Sequence, residues 1–222
     1  MEKRRIIFGD YDTARDGLWT LCSWTLSVPE FQSNLVTVPG RHGPLDLSTA
    51  LTNGEPCYES RTLTARLESS EGNRLARADR IHEMVNHLDG RRMDIILPDD
   101  PTRYITGRVQ VRPEYNDMVH AAVVVTAECD PWRYNKIKTR RMLHATETEQ
   151  LVALSNTGRR VLIPDITVTG EGARVQLTVG SYTWELEEGG YYLPELELRH
   201  GNTALQYSGS GVVEISYREA VL

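Results

Sequence analysis

The sequence predicts a mainly β protein with one main α-helix, divided into two domains at residues 1–136 and 137–222. Three observations carry this. Short apolar runs rich in β-branched and aromatic residues recur along the chain, each closed by Gly, Pro, Asn or Asp, as strands between turns are. A single stretch, Asn73 to Leu88, shows helical spacing instead. After Asp130 and Pro131 the texture changes, first to a charged run and then to evenly punctuated short strands.

In order, the first domain's strands are expected at Arg4 to Phe8, Leu35 to Val38, Arg61 to Leu67, Met93 to Leu97, Tyr104 to Arg112 and His120 to Glu128. The PDDPT segment with Asp99, Asp100 and Pro101 reads as a tight connection between the fourth and fifth of these. The helix places Leu75, Ala78, Ile81, Val85 and Leu88 on its apolar face, with Asn73 as N-cap and Gly90 as C-terminal stop. Arg74, Arg77 and Glu83 are expected on or near its wet face.

The stretch WRYNKIKTRRMLHATETEQ has no strong period and carries Arg133, Lys136, Lys138, Arg140 and Arg141, which marks a solvated strand or linker at the domain connection. Beyond Leu151, LVALSN, TGRRVLIPDITVTG, ARVQLTVG, SYTWELEEGG, LPELELRHGN and GSGVVEISYR follow as short strands. Alternation is clear at Val175, Leu177 and Val179 and again at Val213, Ile215 and Tyr217, the pattern of a small antiparallel β-sandwich.

Composition bounds the function. The 222 residues are 40% hydrophobic and 25% charged, an ordinary globular balance, and the formal charge of -6 is wrong for a surface that neutralises nucleic-acid phosphates. Cys22, Cys57 and Cys129 are odd in number and far apart, so neither a disulfide framework nor a CxxC site is expected, and folding in a reducing compartment is. The basic start MEKRR meets Gly9, Asp10 and Asp12 before an apolar core of a signal peptide develops, and no apolar run approaches membrane-spanning length.

Candidate chemistry fails on geometry. In HEMVNH, His82 and His87 are five residues apart, and at about 100° per residue they point about 140° apart around a helix, so they cannot share one zinc ion. The loop VPGRHGPLDLSTAL gathers Arg41, His42, Asp46 and Ser48, but so short a segment cannot orient a catalytic triad, and no GxSxG elbow accompanies it. YSGSGVV has neither the lysine nor the following helix of a phosphate cradle and reads as a hairpin turn. Asp99 with Asp100, and Glu187 with Glu188, are neighbours rather than carboxylates across a cleft. Tyr182 and Trp184, with Tyr191 and Tyr192, are candidates for a sugar-stacking face or for core and interface packing. No catalytic residue, cofactor or metal is expected.

The ordered segments FGDYDTARDGLW, VTVPGRHGPLDLSTALTNGEPCYESRTL, the helix ending LDGRRMDI, RYITGRVQV and a last strand into DPW together resemble the siphophage distal tail proteins. Tyr58 to Arg61 matches the family's Y-x-x-R step, and Tyr104 to Arg108 its Y-x-G-R step with one residue added. His42 departs from a position that is often acidic in the family.

The resemblance covers about the first 135 residues closely and the remainder more loosely. It implies a split-barrel-like, ring-forming first domain and a galectin-like sandwich after it. The function it implies is that of a structural virion protein, not an enzyme. This would be a homo-hexameric ring at the far end of a long non-contractile tail, assembled in the host cytoplasm. The ring would join the tail tube protein to the tail-tip or baseplate hub protein, with room for a tape-measure contact and no nucleic-acid or membrane binding. The alternative is a carbohydrate-binding module acting through the second domain.

On this reading Arg41, His42, Asp46, Tyr58 and Arg61 mark an interface or structural loop. Leu45, Leu47 and Leu51 are expected to plug it into apolar surroundings, and Arg41 and Asp46 to form local or subunit-to-subunit ion pairs.

Overall fold

A computed structural model describes residues 4–52 and 54–222; Met1 to Lys3, at the basic start, lie outside them. The chain is mainly β with a single helix, as its patterning predicts, and it divides into two compact units, residues 1–133 with Leu222 and residues 134–221.

The first unit is built on an antiparallel sheet in the order β2-β1-β7-β8-β9-β6-β3. Its strands are β1 (Ile7–Phe8), β2 (Tyr11–Asp12), β3 (Thr20–Leu26), β6 (Arg61–Ser69), β7 (Arg92–Ile96), β8 (Arg103–Asn116) and β9 (Ala121–Asn135). β6 shows why it is a strand: Leu63, Ala65 and Leu67 are buried while Thr62 is exposed and Thr64 half-buried, a period of two with one wet face. Phe8, Trp19, Leu63, Leu67, Ile95, Ile105, Val123 and Val125 form the core. Asp100 shapes the expected β7–β8 connection by accepting from Thr102 and Arg103.

Helix α1 (Arg74–Leu88) starts at Asn73, whose side chain accepts from the Ala76 amide at 2.9 Å, and ends before Gly90 with φ +73°. Its buried stripe is Arg77, Ile81, Met84 and Leu88. This corrects the expected face in two places: Arg77 is buried and Leu75 is 71% exposed. The reason is a carbonyl pair. Arg77 donates to Gly72 O at 2.6 Å and Asp117 O at 2.8 Å, which suits a guanidinium better than solvent-facing packing would.

A ribbon of β4 (Leu35–Val36) and β5 (Leu45–Asp46) forms a two-stranded sheet of its own.

The second unit contains β10 (Thr139–Ala145), β11 (Gln150–Asn156), β12 (Asp165–Val179), β13 (Tyr182–Glu187), β14 (Gly189–Tyr192), β15 (Gly201–Tyr217) and β16 (Ala220–Val221). β12 and β15 are long and pair along most of their length. The early part of β15 also pairs β11 and its late part β10; the early part of β12 pairs β14 and its late part β13. One hydrogen-bonded sheet thereby makes both layers of a sandwich over a core that includes Leu154, Ile166, Val168, Val175, Leu177, Leu205, Val213 and Ile215.

The bend lies at Gly170 to Gly172 of β12 and Gly209 to Gly211 of β15. A Cβ on Gly209 would stand 2.1 Å from the Arg174 carbonyl oxygen, so only glycine lets the two strands cross there. The expected hairpin at YSGSGVV is therefore a corner inside one strand, and the two strands expected on either side of Gly170 are one. LPELELRHGN is not a strand beyond a single bridge, Leu162 with Leu198, because its buried Leu196 and Leu198 plug the core from a turn. The charged run after Pro131 is strand for much of its length, the end of β9 and the half-wet β10, whose outward side chains include Arg140 and Arg141.

Candidate functional site

The segment that drew attention as a possible catalytic loop is the ribbon, and its base is tightly built. The buried Arg61 side chain donates from Nε to Ser27 O at 2.7 Å, and Ser27 and Thr62 exchange backbone and side-chain bonds at 2.8 and 3.0 Å. Burial pushes the Arg61 pKa down, with Arg133 adding to the effect. Phe31 bridges to Tyr58, whose ring meets Phe31 and Trp132 edge-on at centroid distances of 6.3 and 5.7 Å. Tyr58 and Arg61 thus act as the fastening of the ribbon to the sheet.

Above the base, Leu35 pairs with Asp46 and Val36 with Leu45. The chain then turns through Pro39, Gly40, Arg41, His42, Gly43 and Pro44, with positive φ at both glycines, +82° and +76°. Asp46 is spent locally: it accepts from the Ser48 amide at 2.9 Å, and the Ser48 side chain and amide hold its pKa below the usual carboxylate value. Neither Arg41 nor Asp46 forms an ion pair within the chain among the described residues, and Arg41 and His42 have no side-chain partner there. They stand exposed at the apex.

The apolar residues of this segment are also outside. Val28 is 81% exposed and Leu51 99%, and Phe31, Leu35, Val36, Val38 and Leu47 are exposed too. This overturns the expectation that Leu47 and Leu51 plug the loop into apolar surroundings. The physical reason is topological: β4 and β5 form a sheet of their own and pair with no other strand among the described residues, and the leucines of this segment lie outside the first unit's core. Two antiparallel strands alone are marginal in water, and this segment leaves seven large apolar side chains exposed.

The remaining candidates are accounted for by local bonding. His87 Nε2 lies 2.8 Å from Asp10 Oδ1 while His82 is exposed, and among the described residues no three His, Cys, Asp or Glu side chains gather as a metal site. Asp99 pairs with Arg133 and Glu187 with Arg174. Tyr182 and Trp184 stack on each other at 6.0 Å and 14°, with Trp184 half-buried against the second core and Tyr182 exposed. Among the described residues no helix is long and apolar enough to cross a membrane.

Sequence reasoning missed a second exposed surface, at Leu75, Met118 and Val119. Its signal was present: placing Arg77 in register with Ile81, Met84 and Leu88 gives an apolar stripe that leaves Leu75 outside.

No protein-family model and no curated protein sequence matches the chain. Among solved structures, the crystal structure of the Dit protein (gp 19.1) of SPP1, described as a paradigm of the hub adsorption apparatus in phages infecting Gram-positive hosts, matches it with a TM-score of 0.67. The match covers 98% of this chain and 99% of that one at 17% sequence identity. At that identity the likeness is one of fold, and it runs through both units: the chain has the fold of a phage Dit protein.

Proposed function

We propose that the chain is a structural component of a phage tail hub, a distal tail protein that forms a hexameric ring at the end of a long non-contractile tail. The observation that carries this reading is the end-to-end fold likeness to the SPP1 hub protein, since both units match and nothing large is inserted or lost. The uncovered apolar ribbon supports it independently, because a subunit of a ring needs such surfaces and a solitary protein does not. On this reading the first unit builds the ring, one face meets the tail tube protein, the other meets the hub or baseplate protein, and the tape-measure protein passes nearby. The product is not an enzyme, is assembled in the host cytoplasm and resides at the tail tip of the virion.

Light scattering on the eluting protein and negative-stain imaging test the reading. The expected result is a ring of about six times the 25.1 kDa chain mass, alone or on adding tube or hub partners. A strict monomer at high concentration, with no ring when partners are added, overturns it.

A second reading, carbohydrate binding through the second unit, draws on the exposed Tyr182 ring of the Tyr182–Trp184 stack. Retention on host cell-wall polysaccharide that disappears in Tyr182→Ala supports it; no retention of the unaltered protein at micromolar concentration removes it.

A further inference from the structure

The turn between β8 and β9 is held more firmly than a surface hairpin needs. Asp117 accepts from the Val119 and His120 amides at 2.8 and 2.7 Å, and its own amide donates to His120 O at 2.9 Å. From the helix, Arg77 grips Asp117 O and Asn116 donates to Arg74 O at 3.1 Å. The backbone is therefore fixed against the start of α1, yet the side chains it presents are apolar and wet: Met118 is 81% exposed, and Val119 and Leu75 are exposed beside it. A surface ordered in advance loses little freedom when something docks on it.

The ribbon and this tip stand at opposite ends of the same ladder. Arg61 pairs with Cys129 at the ribbon's base and Ser69 pairs with Ala121 beside the tip, a separation of eight residue steps or about 27 Å at about 3.4 Å each. Both surfaces are left uncovered by their own chain. Copies that associate head to tail in a ring require two such non-identical, complementary surfaces on each subunit.

The charges complement as well. The ribbon apex carries Arg41 and His42 without partners, while Leu75, Asp79 and Glu83 fall at i, i+4 and i+8 along one exposed line of α1, with no ion pair formed by either acid among the described residues. We propose that the ribbon apex of one copy docks on the surface formed by Leu75, Met118 and Val119 of the next copy, with Arg41 of one facing Asp79 and Glu83 of the other. This rests on the ring reading above and names the contact that closes it.

Full-length chains carrying Arg41→Glu, the pair Asp79→Arg and Glu83→Arg, all three together, and separately Met118→Glu are compared by light scattering, with circular dichroism confirming the fold. The charge reversals on one side and Met118→Glu should each weaken association by about tenfold or more, and the triple variant should recover much of the loss. Assembly unchanged in the helix variants and in Met118→Glu, or a triple variant no better than Arg41→Glu, overturns the contact. If Arg41→Glu alone disrupts a ring, the ring reading stands and this docking surface falls; a wild-type monomer even with its partners overturns both.

Discussion

Arg77 shows how a single side chain ties two elements together. It is a buried cation whose two terminal nitrogens donate to carbonyls, not to a carboxylate, so truncation leaves Gly72 O and Asp117 O without these donors. Arg77→Ala should lower stability by about 3 kcal/mol in a denaturant melt, with loosening of the Asn116–His120 turn visible as faster amide exchange. Burial dominates two other groups. It raises the Tyr11 hydroxyl to about 12 from its ordinary 10.0 and the Cys129 thiol to about 11 from 9.0, with nearby Asp130 adding to the second. Both fold best in their neutral forms. Their contribution to stability is therefore complete below the unfolded values and is lost as pH rises, from 9.0 through about 11 for Cys129 and from 10.0 through about 12 for Tyr11. Melting temperature should fall across that alkaline window in a pH series of thermal melts. At pH 8 an aromatic disulfide reagent should reach exposed Cys22 in the folded protein and Cys129 only on unfolding.

At the level of elements, the glycine corner offers a controlled comparison. Gly209→Ala drives a methyl into the Arg174 carbonyl oxygen at φ +119° and should cost more than about 2 kcal/mol, whereas Gly172→Ala, at φ +67° with open space around it, should cost only about 1 kcal/mol. Thermal melts of the two variants check this, and equal effects would mean the sandwich does not bend there. What the sequence made legible follows the same logic. α1 was readable because its period and its Asn73 cap agree, and β6, β8 and β9 because fully buried residues alternate with less buried ones along each. β3 went unread because a bulge at Cys22, between Leu21 and Ser23, breaks its alternation. β12 was read as two strands because the Gly170–Gly172 insertion shifts its buried positions from even to odd numbers, Ile166 and Val168 against Ala173 and Val175. At the candidate site, Pro39, Gly40, Gly43 and Pro44 announced the turn, but the fate of Leu47 and Leu51 was hidden, since a pattern of leucines looks the same whether the cover is its own core or another molecule.

For the whole molecule, the two hydrophobic cores share no residue, and all but β16 of the second unit's strands pair within one six-stranded sheet. Residues 134–221 expressed alone should therefore fold, giving a β-type circular dichroism spectrum and a cooperative melt; a chain without a melting transition would show that the first unit is needed. The way β12 and β15 run through both layers has a mechanical consequence. In a sandwich of two separate sheets, a pull on one layer can peel it from the other by breaking side-chain contacts alone. Here the layers share two strands, so tension applied anywhere must shear a continuous ladder before they part. Stretched as a single molecule, the second unit should hold its length and then give way in one rupture, the behaviour of a rivet and not of a hinge.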